Sequence, residues 1–170
     1  MPKVLQNYVR LMDSMTARFG LGVQSFIFVI IGVLLYEAVA RYIFNAPTLW
    51  SIEVSKFVFG SYFILGGAYV LLTGGHVRMD VIYQRWTPRR QALMDAGFFV
   101  LFIIFVGITL WASTQHAITS TLMGQRSGSP WAPPLYPIKI IVAVGFLIML
   151  LQGISEFIKY IAVARGKSLS

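Results

Sequence analysis

Apolar residues fall in four long runs along the chain, Gly20 to Ala40, Ser51 to Thr73, Ala92 to Ile118 and Tyr136 to Tyr160. Each is at least about as long as the ~20 residues an α-helix needs to cross a hydrocarbon core roughly 30 Å thick. A helix also satisfies its own backbone polar groups, which lipid cannot do. The stretches between the runs contain residues that end helices and turn chains: Asn45 and Pro47, then Gly74 and Gly75, then Ser127 to Pro134. The pattern predicts an all-α integral membrane protein, a single domain over residues 1–170, with transmembrane helices at about 20–40, 51–73, 92–118 and 136–160.

Residues 1–19 carry a different pattern. Val4, Leu5, Tyr8, Leu11, Met12, Met15 and Phe19 recur at helical spacing opposite Lys3, Gln6, Asn7, Arg10 and Ser14. Such a segment predicts an N-terminal amphipathic interfacial helix lying on the membrane surface.

Composition agrees: 57% of residues are hydrophobic and only 12% are charged, about half the charged share of a soluble domain. The net charge of +8 raises nucleic acid as a partner. However, the basic residues flank apolar runs and form no continuous stripe, so no nucleic acid is expected. Lys and Arg are retained on the cytoplasmic side during insertion. Lys3, Arg10 and Arg18 precede the first run, Arg78, Arg85, Arg89 and Arg90 follow the second, and Lys159, Arg165 and Lys167 close the chain. Both termini are therefore expected in the cytoplasm. Tyr42, Phe44, Trp50, Trp111, Trp131 and Tyr136 then form an outer aromatic belt, with Tyr83, Trp86 and Tyr160 near the inner surface. Ala38, Val39 and Ala40 resemble a signal cleavage site, but the run is long and Glu37 stands directly before it, so the first span is expected to be retained.

Chemistry-bearing residues are few. The chain has no cysteine, which excludes disulfides, thiolate metal sites and cysteine nucleophiles. The two histidines, His76 and His116, are placed on opposite membrane sides, which argues against bis-histidine haem in an electron-transfer anchor. No phosphate loop, nucleophile elbow or zinc motif occurs, so no catalytic residue, metal or cofactor is expected. Glu37 precedes Arg41 by four residues and Glu53 precedes Lys56 by three, spacings that suit helical ion pairs. Structurally, the two pairs would form a neutral cluster tying the first two helices together; functionally, with Trp50, they form a candidate outer-leaflet interface for a partner or a bound phospholipid. If Glu37 instead coupled protons, the chain would act as a small autonomous exporter working as a homodimer, but its expected position near the outer surface speaks against this. Asp95 and Glu156 are expected to make ordinary interfacial pairs beside Arg90 and Lys159. Gly60, Gly67 and Gly74, seven residues apart, align on one helix face as a packing seam, internal or facing a partner. His76, Arg78 and Asp80 form a candidate motif in the inner loop, read as a loop lock.

The stretch ARYIFNAPTLWSIEVSKF, followed by GGAYVLLTGGHVRMDVI, resembles the small membrane subunit of tripartite ATP-independent periplasmic (TRAP) transporters, the DctQ type. The resemblance rests on Arg41, Tyr42, Phe44, Pro47, Trp50, Ser51 and Glu53, then Gly66, Gly67, His76, Arg78 and Asp80, with SPWAPPLYPIK a looser match. One departure is Ile52, where family members commonly carry the first of two consecutive acids. The resemblance implies a non-catalytic scaffold for a large multispan subunit in the bacterial inner membrane. That subunit would import organic acids with sodium, and the periplasmic substrate-binding protein would be a further partner.

Overall fold

The computed structural model describes residues 3–74 and 88–164. Five helices are described: α1 (Lys3–Gln24), α2 (Phe26–Tyr42), α3 (Ser51–Leu72), α4 (Pro88–Leu122) and α5 (Tyr136–Ala164). Four helical segments are long and apolar enough to cross a membrane, the first of them the continuous pair α1 and α2.

The predicted boundary at Gly20 is displaced. Residues 20–24 continue α1, and the chain turns at Ser25, whose N–H bonds Gly22 O at 3.2 Å. Glycine and serine are weak helix formers, which makes this the cheapest place to interrupt an otherwise continuous helix. The continuously apolar part of this first segment is α2, whose 17 residues reach about 25 Å. Of the other three spans, α3 keeps the expected limits to within one residue, α4 extends four residues beyond them at each end, and α5 runs four residues further, to Ala164.

The spans form an open layer in the order α2, α3, α5, α4, with α1 packed on both α3 and α5. Helices α3 and α5 run parallel: Gly60 faces Ile138, Gly145 faces Ile64 and Gly67 faces Met149. In lipid, helices associate through close packing, because the hydrophobic effect offers nothing between two apolar surfaces already out of water. Small residues therefore mark the seam. A Cβ on Gly67 would lie 2.3 Å from Met149 Cε, and one on Gly145 would lie 2.2 Å from Ile64 Cγ2. Gly153 repeats the device on another side of α5, where Phe102 of α4 would be 3.0 Å away. Gly60 and Gly67 thus serve an internal contact. Gly74 does not extend it: α3 has ended, and Gly74 sits at φ +66 with open space around it. This is the left-handed conformation that terminates helices and that glycine adopts without strain.

Helix α1 lies across α5. Tyr8 and Thr16, about 12 Å apart along their helix, bond the adjacent α5 residues Leu151 and Gln152. Further on, Gly20 meets the Tyr69 ring, near the end of α3. The protein-facing side of α1 is Val9, Thr16, Gly20 and Val23. The apolar stripe Val4, Leu11, Met15 and Phe19 is exposed.

Gly145→Leu should separate α3 from α5 and destabilise the fold by roughly 1–3 kcal/mol, the usual range for overpacking. Gly107→Ala, in α4, meets nothing within 4 Å and should be neutral or stabilising by up to about 1 kcal/mol. Thermal unfolding of both variants in detergent measures the difference.

Candidate functional site

Two polar clusters stand at opposite ends of the layer. The first lies where α2 meets α3. Glu37, one turn from the end of α2, is buried despite its charge. Arg41, one turn further on, donates to Glu37 Oε1 from Nε at 3.1 Å and Nη2 at 2.7 Å. The other carboxylate oxygen accepts the Thr48 N–H at 3.2 Å, the Thr48 hydroxyl, and the Ser51 hydroxyl at 2.7 Å. Both oxygens are thus engaged, as a carboxylate in this setting requires. The connection can reach this carboxylate because Asn45 takes a left-handed conformation, φ 49, which lets Ala46 N–H return to Ala40 O at 2.9 Å. Trp50 packs on Tyr36, ring centroids 5.7 Å apart. Glu37 and Arg41 are therefore brought together with Thr48 and Ser51 as one lock across the α2–α3 connection, and Trp50 ties the two ends of that connection separately, through Tyr36.

Glu53 and Lys56 are not brought together. Among the described residues no ion pair joins them: Lys56 is exposed, while Glu53 Oε1 accepts the Ser127 hydroxyl. Spacing allows a pair across one turn, but Glu53 turns to the α4–α5 connection, where a hydroxyl is available. Its second oxygen is buried with no hydrogen-bond partner among the described residues. That connection folds back on itself: Ser127 N–H bonds Pro133 O at 2.9 Å and Leu135 N–H bonds Gln125 O at 2.9 Å. Lys139 of α5 holds Gln125 Oε1 at 2.7 Å. Loop and α3 are thereby joined through Glu53.

The second cluster, between α1 and α5, includes residues that the sequence reading did not single out. Asp13 of α1 accepts from Lys159 Nζ, at 3.0 Å to Oδ1 and 2.8 Å to Oδ2, and from Gln152 Nε2 at 3.0 Å. Ser155 Oγ approaches the same oxygen at 3.3 Å. Gln152, fully buried, also donates to Glu156 at 3.1 Å and accepts the Thr16 hydroxyl at 2.8 Å. Lys159 bridges Asp13 and Glu156, the latter at 2.7 Å. The expected Glu156–Lys159 pair is thus part of a larger array. A signal existed: Gln152, Ser155, Glu156 and Lys159 stand at i, i+3, i+4 and i+7, a polar stripe in an apolar run. Nothing in the sequence said that Asp13 would meet it.

His76, Arg78 and Asp80 lie outside the described residues. Among the described residues, no three His, Cys, Asp or Glu side chains lie together as a metal-binding group. Both clusters hold helices and connections in register.

Residues 30–162 match the family model described as tripartite ATP-independent periplasmic transporters, DctQ component. No curated protein matches the chain. The match takes in the α2–α3 lock and the α5 half of the second cluster, but begins after α1.

Lys159→Met leaves two carboxylates facing each other without a counter-charge. Because the Lys159 side chain is 25% exposed, the expected loss is roughly 2–3 kcal/mol, below the usual cost of breaking a fully buried pair. Lys159→Arg, keeping the charge, should lose much less. Chemical unfolding of each variant in detergent checks the order.

Proposed function

Because the chain belongs to the family of the DctQ component of TRAP transporters, a small transporter component and not an enzyme, we propose that it is the stationary brace of the transport complex. In this reading it supports the large multispan subunit in the bacterial inner membrane, with both termini and α1 on the cytoplasmic side. That orientation is supported by the Lys and Arg bias of the segments next to the ends. The large subunit would carry the organic acid and sodium, and the periplasmic binding protein would deliver the substrate near the α2–α3 and α4–α5 connections.

The observation that carries the proposal is the one-sided packing of the spans. Only 6% to 22% of each span's most apolar stretch is buried within the chain itself, and the outer helices α2 and α4 lean chiefly on α3 and α5. Among the described residues, the spans form a layer one helix thick, with broad apolar faces for a partner and no enclosed path through its middle. The described spans α3, α4 and α5 are also unbroken helices, unlike the interrupted helices that build substrate and ion sites in secondary transporters. Glu37 fits the brace better than a proton-coupling exporter, because its oxygens are taken up by Arg41, Thr48 and Ser51 in a connection lock. Lys56, exposed near the start of α3, offers a cation to a partner or to headgroups of the outer leaflet.

In proteoliposomes the chain alone should move no organic acid. Together with its large subunit and binding protein it should support sodium-dependent uptake, and Glu37→Gln should weaken assembly more than it slows each assembled transporter. Sodium-driven uptake by this chain by itself would overturn the proposal.

A further inference from the structure

Helix α1 has three faces. At 100° per residue, Val9, Asp13, Thr16 and Gly20 point to α3 and α5, where the Asp13 contacts hold the roll of the helix. Val4, Leu11 and Met15 form a second face, exposed at 78%, 57% and 56%. Lys3, Asn7, Arg10, Ser14 and Arg18 form the third, all of them exposed and directly beside the second.

The distribution of charge depends on the clamp. Asp13 is the only acid in α1, and it is drawn inward to Lys159. The outward surface of α1 therefore presents Lys3, Arg10 and Arg18 with no carboxylate from its own helix to neutralise them. The transverse seat of α1 near the end of α3 sets an apolar edge and a cationic edge side by side, the arrangement of a helix lying on a membrane surface, where basic residues attract anionic headgroups.

We propose that α1 is a binding site for anionic phospholipid, with acyl chains against Val4, Leu11 and Met15 and headgroup phosphates at Arg10, Arg18 and Lys3. The occupant fits both edges at once. A zwitterionic lipid meets the apolar edge but gains little from the three cations. An acidic segment of a partner protein meets the cations but leaves the apolar edge bare. The site is independent of which subunit covers the faces of the layer, so it stands or falls separately from the brace.

The test is native mass spectrometry of the full-length chain in detergent containing equimolar phosphatidylglycerol and phosphatidylcholine. The wild type should retain phosphatidylglycerol preferentially. Arg10→Gln/Arg18→Gln should lower the ratio by roughly fivefold for each arginine neutralised. Arg10→Lys/Arg18→Lys, keeping the charge, should restore it. Arg126→Gln, an exposed arginine at the opposite end of the layer, should leave it unchanged. Circular dichroism confirms that each variant is folded. Equal retention of the two lipids by the wild type, as an acidic protein partner on α1 would produce, overturns the proposal. So does an undiminished preference in the folded glutamine variant, or its loss in the lysine variant.

Discussion

The close approach of α3 and α5 is the constraint on which the rest of the molecule depends. Water supplies no force between two helices already in lipid, so adhesion must come from packing at short range. Gly67 and Gly145 permit it by leaving room for Met149 and Ile64. Every other described helix is attached to one of these two or to both. Helix α2 lies on α3, α4 lies on α5 with Phe102 against Gly153, and α1 crosses both. Widening the central seam by one methyl group would therefore be felt across the layer.

Polar groups finish what packing begins. At one end Glu37 collects Arg41, Thr48 and Ser51, tying the α2–α3 connection to the body, while Glu53 takes Ser127 and ties in the α4–α5 connection. At the other end Asp13 and Gln152 anchor α1. Charges in or near hydrocarbon are expensive unless paired, so each cluster is stabilising only in the one arrangement that satisfies it. That selectivity suits a brace. A layer with pinned connections and a pinned transverse helix is what the proposed brace requires, in keeping with a small component of a TRAP transporter.

Much of this was legible from the chain. Span number follows from run length and the thickness of a bilayer. The Glu37–Arg41 pair follows from their spacing on one helix, and the Gly60 and Gly67 face from a repeat of seven. The residues of the α2–α3 connection also carried the family resemblance. Where the reading departed from the structure, a local rule had been applied to a choice made elsewhere. Glu53 could reach Lys56 along its helix, yet it turns to Ser127, which is 74 residues away in sequence. Gly74 continued the arithmetic of the seam, yet the helix had already stopped.

The apolar surroundings, the four spans, the apolar and basic edges of α1, and the small residues available for contact can all be read along the chain, because each depends on composition and on periodicity within one element. The order α2, α3, α5, α4, the partners of Gly67 and Gly145, and the meeting of Asp13 with Lys159 across 146 residues emerge only from the packed fold. These depend on which faces come together, and in a chain where nearly every face is apolar, hydrophobic pattern alone does not distinguish one pairing from another. Close packing and the pairing of a few buried charges make that choice.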